Sequence, residues 1–205
     1  MLRPFLLASF FMLFRLSFAQ DLVKEYYASG ELKGAGQIVN GRKEGEWIFY
    51  YPSGKKNAIE NYKGGRLDGR ISYYYPSEAI QGIENWREGM LQDSAWYLHP
   101  NGALHRVGVY RDSQYSGKWT HRFENGKLER IIHYEGGLPE GETLVYNEKG
   151  FLVQEGSYHN GLENGEWKFY TAEGKLEFAG SYLNGKETGT WYQYKNGKMK
   201  VYKKY

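Results

Sequence analysis

Short apolar runs alternate with glycine-containing turns along residues 21–205, and the alternation repeats every 24 residues. A glycine opens most of the units, as Gly45, Gly69, Gly117, Gly141, Gly165 and Gly189. Positions within a unit are counted from this glycine, taken as zero. Aromatic residues recur at positions 5 and 17, and a second glycine recurs at position 9. A fixed period of this length indicates a repeat architecture.

Each unit reads as two strands and two turns. In the unit from Gly165, Trp167–Tyr170 is an aromatic run typical of a strand, and the turn over residues 171–174 ends in a glycine. Leu176–Tyr182 then alternates apolar and polar side chains, and Asn184-Gly185 is a hairpin turn signal. Frequent glycines disfavour helix. The pattern predicts an all-β fold, an elongated and twisted antiparallel meander of stacked β-hairpins with roughly sixteen strands.

The 24-residue period divides the chain into a repeat region and a segment that lacks the repeat. One continuous repeat domain spans residues 20–205, with about eight copies that begin near residues 21, 45, 69, 93, 117, 141, 165 and 189. Residues 1–19 are different: Arg3 precedes an apolar run over residues 5–14, and Ser17-Phe18-Ala19 follows it. These features predict a cleaved signal peptide, and therefore a periplasmic or secreted protein. The alternative is an uncleaved N-terminal anchor.

The best-formed copy carries a family motif. It runs from Asn160-Gly161 through Gly165-Glu166-Trp167 and Phe169-Tyr170 to Gly174-Lys175-Leu176. This motif resembles the bacterial variant of the MORN (membrane occupation and recognition nexus) repeat, and it recurs over residues 40–55 and 184–194. The resemblance implies stacked hairpins in an open sheet. Some bacterial members are labelled antitoxin-like, while relatives act as scaffolds or are proposed to bind lipid, so the repeat does not define one function.

Residues at equivalent positions of the copies are expected to be structural, because equivalent positions pack in the same way. The tryptophans at position 2 are predicted to stack hairpin on hairpin; the alternative is a ladder of binding platforms. The structural repeat positions are Gly45, Trp47, Tyr50, Gly117, Trp119, Gly165, Trp167, Tyr170, Gly189 and Trp191.

The copies from Gly69 to about Ser116 depart most from the pattern: Glu78 replaces a turn glycine, Asp93 the opening glycine, and Ala95 the tryptophan. Such divergence reflects either lost constraint or an acquired task. A task would be partner binding, because tyrosine, tryptophan and arginine dominate binding hot spots. The candidate partner-binding residues are Tyr74, Trp86, Trp96, Tyr97, Tyr110 and Arg122.

Catalytic and metal chemistry finds little support. Paired carboxylates could indicate glycoside hydrolysis, but glutamate beside the opening glycine is itself repeated; the candidates are Glu44, Glu46, Glu140, Glu142, Glu163 and Glu166. Four histidines between residues 99 and 133 fall at positions that do not stack along the copies. We therefore expect no enzyme, no metal site and no cofactor.

The low net charge of the chain constrains the kind of partner that it could bind. The formal net charge of +3 falls to +1 when Arg3 and Arg15 leave with the signal peptide. No basic stripe suits nucleic acid. The function expected is a non-catalytic, exported protein-interaction scaffold or module, with an antitoxin- or immunity-like role as one case suggested by the family. The alternatives are a glycan or cell-wall binding module and association with a membrane-lipid surface, the latter disfavoured by the low charge. The oligomeric state stays open.

Overall fold

A computed structural model describes residues 22–205, so the predicted signal peptide over residues 1–19 lies outside the described residues. The described part is built from β-strands and contains no helix, and hence no helix capable of spanning a membrane. The strands are β1 (Val23–Tyr26), β2 (Leu32–Val39), β3 (Arg42–Tyr50), β4 (Lys56–Lys63), β5 (Arg66–Leu67), β6 (Gly69–Tyr74), β7 (Ile80–Arg87), β8 (Met90–Leu98), β9 (Leu104–Arg111), β10 (Gln114–Arg122), β11 (Leu128–Glu135), β12 (Leu138–Tyr146), β13 (Leu152–His159), β14 (Leu162–Glu163), β15 (Gly165–Tyr170), β16 (Leu176–Leu183), β17 (Lys186–Lys195) and β18 (Lys198–Lys204).

The strands form one antiparallel meander in which each pairs with its neighbours along the chain. Two pairs of segments, β5 with β6 and β14 with β15, are single strands interrupted by one residue and pair with the same partner, β4 or β13. Counted in this way there are sixteen strands, two per copy. The predicted all-β meander of hairpins is confirmed.

A bulge at position 0 explains the opening glycine. Gln37 pairs with Glu44 and Ala35 with Ile48, so three residues of β3 lie opposite one residue of β2. Gly45 begins this bulge with a φ of 66°, a conformation that favours glycine. Asp93 takes the same place with a φ of 60°, so the divergent copy keeps the bulge without the glycine.

The core is a ladder of position-2 side chains on one face, here called the Trp face. Trp47, Trp119 and Trp167 are almost fully buried, and so are Ile71, Ala95 and Thr143, which replace tryptophan in three other copies. Each indole lies flat over a glycine of the preceding strand, as Trp167 lies over Gly156, where a Cβ would overlap the ring. The tryptophan side chains at this position are therefore buried within the sheet's core. The buried position-2 ladder is Trp47, Ile71, Ala95, Trp119, Thr143, Trp167 and Trp191, and Val23 of the first copy is exposed.

Side chains at position 6 join neighbouring copies. The hydroxyl of Tyr27 donates to the carbonyl oxygen of Tyr50 at 2.7 Å. Tyr51 donates in the same way to the carbonyl of Tyr74 at 2.7 Å, and Tyr75 to that of Leu98 at 2.8 Å. Each bond reaches the residue 23 positions further along, which lies in the next copy.

Candidate functional site

The tryptophan ladder stops in the copies from Gly69 and Asp93, where Ile71 and Ala95 take position 2. At the facing position 15 of the preceding strand, the glycine is replaced by Glu60 and by Glu84 respectively. The Trp face therefore carries two carboxylates in the stretch where the indoles are missing.

Glu84 is 9% exposed and accepts three hydrogen bonds from aromatic side chains. Its Oε2 accepts from the Tyr73 hydroxyl at 3.1 Å and from Trp86 Nε1 at 2.9 Å, and its Oε1 accepts from the Tyr97 hydroxyl at 2.5 Å. These four residues are called the Glu84 cluster. Three donors satisfy a carboxylate that would otherwise be costly to bury. Burial, and then the carboxylate of Glu84, raise the pKa values of Tyr73 and Tyr97.

Three of the six candidate binding residues come together at this cluster. Trp86 and Tyr97 belong to it and are half-buried. The hydroxyl of Tyr110 lies 3.5 Å from that of Tyr97, but Tyr110 is only 7% exposed and packs with Trp119 in the core. Burial, and then its contact with Tyr115, raise the pKa of Tyr110 to about 12. Only Trp86 and Tyr97 are thus available as surface.

The other three candidates lie elsewhere. Trp96 neighbours Tyr97 in β8 and therefore points to the opposite face, where the Arg70 guanidinium carbon lies 5.8 Å from its ring centroid. Tyr74 lies near the turn that follows β6, with Lys56 Nζ 5.4 Å from its ring centroid. Arg122 donates from Nη1 to the Gly126 carbonyl oxygen at 3.0 Å, within its own hairpin turn. The six residues do not form one surface.

The structure adds three residues that sequence reasoning missed. Arg106, His121 and Arg130 are successive cross-strand partners on β9, β10 and β11. The Arg106 guanidinium carbon lies 4.1 Å from the Tyr97 ring centroid, and Nη1 donates to the Tyr115 hydroxyl at 3.3 Å. The repeat positions could have revealed these residues, since Arg106 and Arg130 both occupy position 13 and His121 occupies position 4, that of Tyr97.

Three histidines approach one another, contrary to the expectation that their positions keep them apart. The ring centroids of His99 and His105 are 4.5 Å apart, and those of His105 and His121 are 6.5 Å apart. The antiparallel turn between β8 and β9 brings positions 6 and 12 together, and His121 lies on the adjacent strand β10, paired with Arg106 beside His105. Burial lowers the pKa values of His105 and His121, and positively charged neighbours add to the effect. Within residues 22–205 no group of histidine and acidic side chains could hold a metal ion.

Two of the candidate catalytic carboxylates cap turns. Glu44 Oε2 accepts from the Gly64 amide at 2.7 Å, and Glu140 Oε2 accepts from the Asn160 amide at 2.8 Å. The Asn160 amide and His159 hold the pKa of Glu140 below its ordinary value. Glu142 and Glu166 line a depression of about 250 Å³ on the opposite face, together with Glu155 and Lys168. Lys168 Nζ lies 3.3 Å from Glu155 and 3.9 Å from Glu166.

Solved structures give only distant likenesses. The TcdB2-TccC3-Cdc42 crystal structure aligns at 15% identity and a TM-score of 0.23, over 84% of this chain and 13% of that one. The Photorhabdus luminescens Tc holotoxin pore structure, with the TccC3-D651A mutation, aligns at 14% identity and a TM-score of 0.24, over 85% of this chain and 12% of that one. This chain thus spans about an eighth of the length of those proteins. No curated protein matches it.

The family comparison agrees with the repeat geometry. The MORN repeat variant model matches residues 43–63, 115–135 and 163–184. Each match covers two consecutive strands of the meander, with β14 and β15 counted as one, and includes one bulge glycine and one ladder tryptophan: Gly45 with Trp47, Gly117 with Trp119, or Gly165 with Trp167. The matched segments lie on both sides of the divergent copies that carry Glu84. Three segments of the chain therefore match the MORN repeat variant.

Proposed function

We propose that the protein is a non-catalytic module that binds another protein through the Trp face at the Glu84 cluster. One observation carries the proposal: the tryptophan ladder is replaced here by a hydrogen-bonded cluster with half-buried Trp86 and Tyr97 and with Arg106 over the Tyr97 ring. The described strands all belong to one sheet, so within residues 22–205 no second layer covers this face.

The chemistry of the cluster suits protein recognition. Tryptophan, tyrosine and arginine supply most of the binding free energy at protein interfaces. Rings held by hydrogen bonds lose little conformational entropy on binding, which favours affinity. A repeated sheet also presents a broad, rigid surface. An antitoxin- or immunity-like role would be one case of such binding, consistent with family labels.

The proposal is tested by a pull-down from a native envelope extract with residues 20–205 as bait. Two variants distinguish binding through the Trp face from binding through the opposite face of the sheet. Tyr97→Gln changes the Trp face to a side chain that Gln193 carries at the same position, and Trp96→Ser changes the opposite face to the residue found at Ser72. We expect one protein to be retained by the wild type and by Trp96→Ser, and lost with Tyr97→Gln.

As a control, circular dichroism and thermal unfolding would check that both variants are folded. Retention that follows Trp96 instead of Tyr97 would contradict the assignment to the Trp face. Failure of the wild type to retain any protein would contradict the proposed function.

Glycan binding is a second candidate, favoured by an aromatic groove at the C-terminal end of the Trp face. The groove has a volume of about 220 Å³ and is lined by Phe169, Phe178, Tyr182, Glu187, Trp191 and Tyr202. Exposed aromatic rings beside a carboxylate can stack on and hydrogen-bond to a sugar. Retention on cell-wall glycan beads, lost in Tyr202→Gln, would support this function. Equal retention of the wild type and of Tyr202→Gln would argue against glycan binding in this groove.

Export is part of the proposal. It rests on the sequence of residues 1–19, with its apolar run and the small residues Ser17 and Ala19. The intact mass of protein recovered from the periplasm or the medium tests it. A mass lacking about the first nineteen residues is expected, and recovery of the full-length chain in the membrane fraction would favour the uncleaved anchor.

A further inference from the structure

A row of three basic side chains crosses the Trp face beside the Glu84 cluster. Arg106 on β9 is paired with His121 on β10, which is paired with Arg130 on β11. Side chains in such register have Cβ atoms about 5 Å apart, and like charges placed directly opposite each other destabilise a sheet. The strand pairing therefore holds two arginines and a histidine side by side on this face.

No protein carboxylate neutralises the row within residues 22–205. None of the ion pairs there involves Arg106, His121 or Arg130. Glu84 is already bonded to Tyr73, Trp86 and Tyr97. Glu129 lies at the bulge between Leu128 and Arg130, and its charge acts on His121, but it forms no ion pair with any of the three side chains. The positive charge of the row is left for a ligand.

Arg106 supplies an independent indication of a missing acceptor. Its Nε is buried and has no hydrogen-bond partner in the described part of the chain, although Nη1 donates to Tyr115. Buried donors without an acceptor are rare in folded proteins. Arg130 is exposed, so its long side chain is free to close over a ligand that bonds to Arg106.

We propose that Arg106, His121 and Arg130 form an oxyanion-binding site that takes a side-chain carboxylate from an acidic segment of the partner protein. The proposal names the chemistry of the partner on this face and in that respect rests on the proposed function. The planar guanidinium groups match the two oxygens of a carboxylate and bind it in a bidentate way. The imidazolium of His121 would be a third donor between them.

The titration of His121 is the expected reporter. Burial, and then the charge of Arg130 and more weakly that of Arg106, lower the pKa of His121, while Glu129 acts in the other direction. An anion held between the two arginines would offset their charge and favour the protonated ring. Ligand binding should therefore raise the pKa of His121.

The test follows the histidine ring signals by NMR through a pH titration of the protein. The probes are a capped triglutamate peptide and, separately, inorganic phosphate, each compared with chloride at equal ionic strength. We expect the peptide to raise the pKa of His121 saturably, and Arg130→Gln to weaken its binding about tenfold or more. Because Arg130 is exposed, this variant should fold even if Arg106→Gln does not. Arg87→Gln, which removes an exposed arginine elsewhere, is the matched control and should bind as the wild type does.

Each other outcome is decisive. A saturable shift with phosphate but not with the peptide overturns the carboxylate assignment. No shift with either probe, or equal binding by the wild type and Arg130→Gln, overturns the site. A partner retained in the pull-down without any anion effect leaves the proposed function standing and removes this inference. A shift of the His121 pKa with the anion probe, without a protein retained in the pull-down, supports this inference and contradicts the proposed function.

Discussion

At the scale of single residues, the ladder obeys a pairing rule between two positions of the repeat. Wherever position 2 is tryptophan, position 15 of the preceding strand is glycine, because the indole lies where a Cβ would be. Wherever position 2 is a smaller residue, position 15 carries a side chain. The tryptophan pairs are Gly36 with Trp47, Gly108 with Trp119, Gly156 with Trp167, and Gly180 with Trp191; the others are Glu60 with Ile71, Glu84 with Ala95, and Ile132 with Thr143.

The rule predicts strong coupling between Gly156 and Trp167. Gly156→Ala should lower the free energy of unfolding by about 1–3 kcal/mol, because the added methyl group overpacks the site under the indole. In a Trp167→Ile background, which reproduces the pairing at Ile71, the same change should cost less than about 1 kcal/mol. Urea unfolding of the wild type, the two single variants and the double variant measures the coupling. Additive effects would mean that the indole does not depend on the glycine.

At the scale of strands, the Glu84 cluster joins β6, β7 and β8 through one carboxylate. Glu84→Leu should destabilise the protein by about 1–3 kcal/mol, because Tyr73, Trp86 and Tyr97 lose their shared acceptor. Glu84→Gln keeps one acceptor oxygen and nearly the same shape, so its cost should be smaller. Chemical denaturation of both variants checks the order. If leucine were tolerated better than glutamine, the cluster would not be stabilised by its hydrogen bonds.

The pairing of β9, β10 and β11 predicts a pH dependence. The pKa of His121 is lowered in the folded protein below its ordinary value of 6.5, as is that of His105. The unfolded chain therefore binds more protons in the window below 6.5, so stability falls as the pH drops through that window toward the lowered folded values. His121→Gln should flatten the decline in urea midpoint between about pH 7.5 and 5.5. His133→Gln controls for the loss of an imidazole, and an equal flattening there would contradict the assignment.

At the scale of the whole molecule, a sheet of equivalent copies should tolerate the loss of one copy if the pairing rule is kept. Deletion of residues 165–188 brings Gly156 opposite Trp191, which restores a glycine–tryptophan pair. Deletion of residues 141–164 removes the same length but brings Ile132 opposite Trp167. The first variant should fold cooperatively, and the second should be less stable by at least about 1–3 kcal/mol because the core is overpacked. Thermal and urea unfolding compare them, and equal stability would refute the rule as a constraint on assembly.

The sequence alone predicts the architecture well because the period repeats at glycines whose backbone conformation few other residues adopt. The two-strand copy follows from that repetition, whereas the bulge at Gly45 becomes visible only in the strand register. The candidate surface is harder to predict, because the divergence of the middle copies selects both Trp96 and Tyr97 although a strand places neighbours on opposite faces. The approach of His99 to His105 was missed because it depends on a turn between strands and not on equivalent positions.

Hydrogen bonds from position-6 side chains to the next copy make the two ends of the sheet unequal. Tyr27, Tyr51, Tyr75 and His99 each hydrogen-bond through the side chain to main chain in the next copy. Phe123 has no donor, but Asn125 and Lys127 in the same turn reach the next copy, and Asn147 reaches the Ala172 carbonyl oxygen. Thr171 accepts only from its own turn, so within the described residues no such link joins the last two copies. At the far end Trp191 Nε1 is buried without a partner in the described chain, and β18 is exposed throughout. Local opening should therefore start at the C-terminal copy and proceed toward the N-terminus. Amide hydrogen exchange should show protection rising from β17 toward β4, which would mean that local unfolding spreads from the C-terminal copy. A partner bound at the middle copies would then limit how far this unfolding spreads.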